Sequence, residues 1–189
     1  VRAAGATPAT IAVMAGRIHV GLDDSTLERL ARTPDAMKLS RADLAACLIS
    51  GRTGATTVAA TMICAHLAGI GVFATGGIGG VHRGAHESGD ISADLAALGR
   101  YEVAVVCAGA KAVLDLPRTV EMLETLGVPV YGFGTDEFPA FYRRGSGLPV
   151  DRRFDDIESL ARAIDVHNEM LMTTGVVVAE GRAEDAVRR

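Results

Sequence analysis

The chain has 189 residues, of which 49% are hydrophobic and 22% are charged, and this is enough apolar surface for a globular domain with a sizeable core. Its net charge of −4 excludes the basic surface that nucleic-acid binding requires. No signal peptide, membrane-length apolar stretch or zinc-type cysteine spacing is present, and the three cysteines lie in apolar segments. We therefore expect a cytoplasmic protein with neither a nucleic-acid nor a membrane partner.

Strand-like and helix-like patterns alternate along the chain. Short apolar runs predict strands at residues 9–14, 17–21, 71–74, 103–107, 128–132 and 175–179. Apolar residues at helical spacing predict helices at residues 25–32, 40–49, 56–68, 90–98, 117–126 and 157–171. This alternation predicts an α/β fold, a layered α/β/α sandwich with a largely parallel sheet, in one domain over residues 1–189.

Local signals define the first elements more closely. The first two strands are joined by an Ala15-Gly16 turn, which predicts an antiparallel hairpin at the edge of the sheet. Ser25 with Glu28 three residues later has the pattern of a capping box at the start of the first helix, and Ser40 stands in the corresponding place before the second helix.

Lysine is rare in this chain, since only Lys38 and Lys111 are lysines among nineteen basic residues. A lysine amine can lose its proton in an apolar environment and attack a carbonyl, whereas a guanidinium stays protonated. Residues 105–114 around Lys111 are almost wholly apolar, and burial there would disfavour the charged ammonium. The pattern predicts a buried lysine that forms a Schiff base, with compositional drift as an equally open alternative.

A glycine-rich segment, residues 75–85, follows the predicted strand of residues 71–74 and contains five glycines. α/β folds place their sites at strand ends, and glycines leave backbone N–H groups free to face an anion, while His82 and Arg83 add positive charge. The segment lacks both the Gly-Lys-Ser/Thr of a Walker loop and the dinucleotide-binding fingerprint. A phosphate-binding loop that begins at Thr75 is favoured over a long turn without a ligand.

Two aspartates follow this loop. Asp90 and Asp94 are four residues apart in the predicted helix of residues 90–98, so both carboxylates would lie on one helical face. Two acids beside a basic loop could hold a hard divalent cation that keeps most of its water. The spacing alone favours a simpler interpretation, in which Asp90 caps the helix and Ser92 is exposed.

A second segment rich in glycine and threonine, residues 50–59, opens the apolar helix of residues 56–68. The free N–H groups of a helix N-terminus make this a second possible anion or substrate site. A helix cap at Thr56 or Thr57 explains the segment equally well. Lys38 could contact a phosphate or simply be solvated.

These segments together resemble the pseudouridine-5′-phosphate glycosidases, the group that includes the indigoidine-locus protein. The motifs that carry the resemblance are long, and they follow in family order over nearly the whole chain: GATPATI at residues 5–11, GATTVA at 54–59, TGGIGGVHRGA at 75–85, DISADL at 90–95, VCAGAK at 106–111 and PAFY at 139–142. The resemblance implies a lyase-type glycosidase that reversibly splits the C–C bond of pseudouridine 5′-phosphate into uracil and ribose 5-phosphate. It further implies a divalent metal, typically Mn²⁺, and a homotrimer.

The resemblance also assigns roles to residues. Lys111 is implied to form an imine with C1′ of the opened ribose, and Asp90 to be the metal ligand. The implied substrate contacts are Lys38, Val58, Ser92, Ala93 and Asp94, to which we add Thr75 and His82 of the glycine-rich loop. A C–C glycosidic bond has no heteroatom leaving group to protonate, so ordinary acid catalysis does not suffice, whereas an iminium at C1′ can accept the electrons.

Two departures from the family pattern matter. The family's proton-donor glutamate precedes the GATPATI motif and a further polar segment follows the part matched here, so we expect these 189 residues to lack both and to be nearly inactive alone. Residues 84–89 are also a less typical approach to Asp90. An inactive fragment or homologue that only binds a phosphosugar stays open as an alternative, as does an aldolase-like Schiff-base enzyme for another phosphosugar.

Overall fold

The structure, a computed structural model, describes residues 1–141, 145–170 and 173–180. The chain divides into two compact units, the first covering Val1–Gly69 and the second beginning at Ile70. Each unit contains its own β-sheet. The predicted α/β class is confirmed, and the strands that were predicted in one sheet are distributed over two.

The first unit contains a mixed four-stranded sheet. Its strands are β1 (Ile11–Met14), β2 (Arg17–Val20), β3 (Met37–Leu39) and β4 (Gly54–Thr56), in the order β2-β1-β4-β3. Its helices are α1 (Asp24–Ala31), α2 (Leu44–Ile49) and α3 (Val58–Leu67), with a 3₁₀ turn at Arg2–Ala4. The strands β1 and β2 form the predicted antiparallel edge hairpin, and its turn residues Ala15 and Gly16 both have positive φ, 48° and 71°.

The second unit contains a parallel five-stranded sheet. Its strands are β5 (Val72–Ala74), β6 (Ala104–Cys107), β7 (Val130–Phe133), β8 (Arg152–Phe154) and β9 (Val176–Glu180), in the order β5-β6-β9-β7-β8. Its helices are α4 (Ala85–Ser88), α5 (Ala93–Leu98), α6 (Leu116–Thr125) and α7 (Ile157–Glu169). None of the helices in the described residues of either unit has the length and apolar character needed to cross a membrane.

The central strands of the parallel sheet are buried on both faces. On one face, Ala104 and Val178 pack against Leu160 of α7. Val105 and Val177, which point the opposite way, are also fully buried. Burial on both faces explains why these strands read as continuous apolar runs, and it confirms the predicted layered arrangement around a parallel sheet.

Several local predictions are wrong. The first helix is capped by Asp23, whose carboxylate accepts the Thr26 N–H at 2.7 Å, and Ser25 instead donates its hydroxyl proton to Asp23. The Ser40 side chain does not cap α2, because the contact there runs from the Ser40 N–H to the carboxylate of Asp43.

The apolar run of residues 71–74 would suit a buried strand, but β5 is the edge strand of its sheet and Val72 is 62% exposed. Short elements without a full period escaped prediction, namely β3, β4, β8 and α4. The last helix was predicted to reach residue 171, which lies outside the described residues.

Candidate active site

The glycine-rich loop and the lysine segment meet at one edge of the parallel sheet. Strands β5 and β6 pair in parallel, with Val72 opposite Ala104 and Ala74 opposite Val106. The segments that follow them therefore leave the sheet side by side at its carboxyl edge, where α/β folds place their binding sites.

Backbone hydrogen bonds join these two segments along their length. The Thr75 N–H donates to the Val106 carbonyl at 2.9 Å, and the Ile78 N–H donates to the Gly109 carbonyl at 3.0 Å. The Lys111 N–H donates back to the Ile78 carbonyl at 3.3 Å. The main chain of Lys111 is thus fixed to the middle of the glycine-rich loop.

The side chain of Lys111 is exposed, so the prediction that it is buried is wrong. Ala110 just before it is fully buried, whereas the apolar residues Ala112 and Val113 just after it are exposed. An exposed amine can be reached by a sugar carbonyl without any opening of the fold. The role of Lys111 as nucleophile stays a prediction.

A second side chain of this segment that could act as a nucleophile is the thiol of Cys107, and its burial excludes that role. Cys107, at the end of β6, is buried, and this burial raises the pKa of its thiol to about 12. A thiol with this pKa stays protonated near neutral pH and does not act as a nucleophile.

The glycine-rich loop uses several of the N–H groups that were predicted to face an anion. The Gly79 N–H donates to the Asp94 carboxylate at 2.8 Å, and the Val81 N–H donates to the Thr119 hydroxyl at 3.0 Å. The prediction of free N–H groups is therefore wrong at these positions. Gly76, Gly77 and Gly80 carry loop N–H groups with no acceptor in the part of the chain that the structure describes.

Two of the glycines are required by close packing. A Cβ at Gly79 would meet the Ser92 side chain and lie 2.8 Å from the Asp94 carboxylate. A Cβ at Gly80 would collide with the side chain of Thr119. The absence of a side chain at both positions lets groups from α5 and α6 reach the loop backbone.

Asp90 and Asp94 do not share a helical face, because α5 begins only at Ala93. The N-cap is Ser92, whose hydroxyl accepts the Asp94 N–H at 3.2 Å, so Asp90 is not the cap and Ser92 is not simply exposed. Asp94 is buried, whereas the Asp90 carboxylate is largely exposed. Ala93 is half-buried at the first turn.

The segment that contains Asp90 pairs with the glycine-rich loop. The His82 N–H donates to the Asp90 carbonyl at 3.0 Å, and the Ser92 N–H donates to the Gly80 carbonyl at 3.0 Å. The His82 imidazole Nδ1 lies 3.6 Å from the Asp90 carboxylate. The glycine-rich loop and the segment that contains Asp90 therefore pack together within the second unit.

The glycine-rich loop and the Asp90 segment contain few side chains that could bind a metal. No group of three or more His, Cys, Asp or Glu side chains with metal-binding geometry occurs within the residues that are described. One exposed carboxylate with an imidazole beside it fits a divalent cation that takes most of its ligands from water and substrate.

A third segment, which follows β7, packs on the first two. The Phe141 N–H donates to the Ala108 carbonyl at 2.9 Å, and its ring lies so close to Gly77 that a Cβ there would be 2.5 Å from the ring. Phe141 has a φ of 61° and Gly109, which lies against the Pro139 carbonyl, has a φ of 79°. The segment with the PAFY motif, residues 139–142, thus packs against the glycine-rich loop and the lysine segment, although residue 142 lies outside the described residues.

The remaining predicted residues belong to the first unit. Lys38 is exposed in β3, and Val58 is the half-buried first residue of α3. Thr57 caps α3 by accepting the Ala60 N–H, which settles the cap that the sequence left open between two threonines. Its own N–H donates to the Leu39 carbonyl at 2.8 Å, which attaches the start of α3 to β3.

Sequence reasoning missed Thr119, which shapes the loop, and it gave Phe141 no role although the PAFY motif contains it. Thr119 lies in the first turn of an ordinary amphipathic helix, and no motif distinguishes it from a surface threonine. The only available signal was the Gly79-Gly80 pair, which shows that something packs closely on the loop without showing what it is.

Comparison with known proteins places the chain among its relatives. The family model described as indigoidine synthase A like protein matches residues 1–188. A pseudouridine-5′-phosphate glycosidase of Paracoccus denitrificans is 65% identical over 180 residues, which are 94% of this chain and 59% of that protein. One of Caldanaerobacter subterraneus is 55% identical over 185 residues, which are 98% of this chain and 60% of that protein.

Solved structures match as well. The prealnumycin C-glycosynthase AlnA, in complex with ribulose 5-phosphate, has a TM-score of 0.93 and 45% identity, covering 97% of this chain and 61% of that one. An indigoidine synthase A-like protein of Thermotoga maritima has a TM-score of 0.86 and 34% identity, covering 96% and 62%. The chain thus spans about three fifths of the length of these relatives.

Proposed function

Because this chain belongs to the indigoidine synthase A like family, we propose that the protein is a pseudouridine-5′-phosphate glycosidase. It would reversibly cleave the C–C glycosidic bond of pseudouridine 5′-phosphate to give uracil and ribose 5-phosphate. The names of relatives at 55–65% identity support this assignment, as does a structural neighbour that binds a five-carbon sugar phosphate.

The observation that carries the proposal is the bonding of Lys111 to the glycine-rich loop. The Lys111 N–H donates to Ile78 at 3.3 Å, and the amine on the same residue is exposed. Ribose 5-phosphate has a reactive carbon at one end and a phosphate at the other. A site for it needs a nucleophile and an anion-binding segment on connected parts of the backbone, and the bonding of Lys111 to the loop is consistent with this requirement.

The amine of Lys111 would bond to C1′ of the sugar as the C1′–O4′ bond breaks and the ring opens, with the nitrogen losing one proton and the ring oxygen gaining one. When the bond between C1′ and uracil breaks, its electron pair stays with uracil, which takes a proton, and the nitrogen lone pair forms the imine at C1′. One water then hydrolyses this imine to ribose 5-phosphate and free lysine. The net reaction consumes one water for each bond cleaved.

Other residues would bind and orient the substrate. Asp90, with His82 beside it at 3.6 Å, would hold the divalent cation, proposed to be Mn²⁺. When bound, such a cation supplies positive charge that polarises a substrate oxygen. Thr75 and His82 would contact the phosphate, and the further substrate contacts proposed from the family pattern are Lys38, Val58, Ser92, Ala93 and Asp94.

Assembly and location are part of the same proposal. We propose a homotrimer in the cytoplasm, as the family resemblance implies. The cysteines Cys47, Cys64 and Cys107 are free and buried, which fits a reducing compartment. Light scattering coupled to size-exclusion chromatography measures the oligomeric state directly, and a mass of one or two chains would contradict the trimer.

The test of the chemistry is reductive trapping. Borohydride added with ribose 5-phosphate should attach one sugar phosphate to a peptide that contains Lys111, and Lys111→Arg should abolish this adduct because a guanidinium does not form the imine. Lys38→Arg is the matched control, and it should keep the adduct. Labelling at Lys38 instead would overturn the assignment of the nucleophile.

Release of uracil from pseudouridine 5′-phosphate, measured on the full-length protein, identifies the substrate. An adduct without uracil release would favour an aldolase-like enzyme for another phosphosugar. Binding of ribose 5-phosphate without any adduct would favour a protein that only binds phosphosugars.

A further inference from the structure

Thr119 of α6 is a fully buried polar residue that none of the sequence motifs includes. Its hydroxyl donates to the Asp115 carbonyl in its own helix at 2.7 Å and accepts the Val81 N–H at 3.0 Å. One hydroxyl therefore uses its proton within the helix and its lone pair on the glycine-rich loop, 38 residues away.

Val81 is held on both sides of its backbone by the same helix start. Its N–H binds the Thr119 hydroxyl, and its carbonyl accepts the Asp115 N–H at 2.9 Å. The neighbouring Gly80 packs so closely on Thr119 that a Cβ there would collide with it. The first turn of α6 thus fixes the loop by two hydrogen bonds and one tight contact.

The held segment carries the residues proposed to act on the substrate. The Ser92 N–H donates to the Gly80 carbonyl, and the His82 N–H donates to the Asp90 carbonyl. The placement of His82 beside the Asp90 carboxylate therefore depends on where Val81 lies.

We propose that Thr119 is a positioning residue that sets the place of the phosphate-binding loop and the Asp90 segment for the sugar phosphate. This inference rests on the proposed function. Thr119 acts through Val81 and is not itself a catalytic residue. Its hydroxyl, which α6 orients, takes the place that a neighbouring strand would have in a regular sheet.

The experiment compares substitutions at two positions of α6, Thr119 and Thr125. Thr119→Val keeps the shape and leaves the Val81 N–H without its acceptor, and Thr119→Ser keeps the hydroxyl. Thr125→Val is the matched control, because the exposed Thr125 makes the same bond to the carbonyl four residues before it, at 2.9 Å, and is bonded to its own helix only. The readouts, all measured on the full-length protein, are KM and kcat for pseudouridine 5′-phosphate, the affinity for ribose 5-phosphate, and the exchange rate of the His82 and Ser92 amides.

We expect Thr119→Val to raise KM and weaken ribose 5-phosphate binding by up to about tenfold, the effect of one lost hydrogen bond, with kcat within about twofold. The His82 and Ser92 amides should exchange faster. Thr119→Ser should restore affinity and protection, and Thr125→Val should match the unchanged protein. Gly80→Ala, which displaces the loop from an intact Thr119, should reproduce the KM effect if Thr119→Val does not fold.

A lower melting temperature in Thr119→Val with unchanged KM and unchanged amide exchange would overturn the inference, since the hydroxyl would then only stabilise the fold. Failure of the proposed function looks different. In that case the full-length protein without substitutions would not release uracil, while faster amide exchange in Thr119→Val would still support the positioning of the loop.

Discussion

The two segments rich in glycine and small polar residues, residues 50–59 and residues 75–85, look alike in sequence and are stabilised in different ways. The first becomes β4 and the capped start of α3, so main-chain partners and a local cap satisfy most of its polar groups. The second contains little regular structure, and beside its main-chain partners two of its N–H groups, those of Gly79 and Val81, are accepted by side chains of α5 and α6.

The difference shows how glycine serves each segment. Gly54 lets the sheet close, since a Cβ there would lie 2.6 Å from the Leu39 side chain and 2.9 Å from the Met37 carbonyl. Gly79 and Gly80 admit Asp94 and Thr119 to the loop backbone. Substitutions in the first segment should therefore affect stability, and substitutions around the second should also affect the binding of a sugar phosphate.

The largest effect should come from Gly109→Ala, in the segment that is bonded to the glycine-rich loop. Gly109 has a φ of 79°, and an added Cβ would lie 2.6 Å from the Pro139 carbonyl carbon. Backbone strain and overpacking together should lower the free energy of unfolding by about 3 kcal/mol or more. Urea denaturation measures this loss.

Gly127→Ala is the matched control, because Gly127 also has a positive φ, 68°, with nothing near its missing Cβ. Strain alone should cost it about 1 kcal/mol. Equal losses in the two variants would show that the contact with Pro139 adds nothing, and the segment would then be less constrained than the glycine-rich loop requires.

A smaller loss is expected for Asp94→Ala. The buried carboxylate accepts the Gly79 N–H at 2.8 Å, and removing it leaves this donor without its partner at a cost of about 1–3 kcal/mol. Asp94→Asn keeps an acceptor oxygen and should recover most of the stability. Thermal unfolding compares them, and identical melting temperatures for the alanine variant and the unchanged protein would contradict the role of Asp94 in holding the loop.

The sequence predicted regular elements better than it predicted the site. The parallel strands are visible because burial on both faces, as at Val105 and Val177, leaves a continuous apolar run. The helix that follows Asp90 was also expected, but its start was predicted at residue 90, three residues before α5 begins, so Ser92 was not recognised as the cap. Because of this error, Asp90 was predicted to be the cap, and Asp90 and Asp94 were predicted to share a helical face.

The contacts that shape the loop could not be predicted, because they join residues far apart in sequence. Nothing local marks Thr119 as the acceptor for Val81. The apolar run also misled at Lys111, because its continuously buried part ends at Ala110 and the next three residues, Lys111 to Val113, are exposed. The glycines of residues 75–85 predicted a loop there. The acceptors of its N–H groups could not be predicted, because the tertiary structure determines which side chains reach the loop.

Asp90→Asn tests the metal proposal and should act on binding alone. Its carboxylate is 63% exposed and is not the helix cap, so stability should stay unchanged. Mn²⁺ affinity should fall by about tenfold, since the loss of even an indirect partner of a metal often costs this much. Electron paramagnetic resonance of free Mn²⁺ measures it. Glu87→Gln, a nearby exposed acid, is the control, and equal affinities in both variants would remove Asp90 as the ligand.

The smallest effect is expected for Thr57→Ala in the first segment. The Thr57 hydroxyl accepts the Ala60 N–H at 3.4 Å, a long bond, so losing this cap should cost about 0.5–1 kcal/mol. Thr57→Ser keeps the acceptor and should keep the stability. Ribose 5-phosphate affinity should change less than about twofold, because buried residues of α3 hold Val58 in place. Calorimetric titration beside thermal unfolding separates the two effects. A tenfold loss of affinity with unchanged stability would make residues 50–59 a ligand site like residues 75–85, and the contrast between the two segments would then be one of structure only.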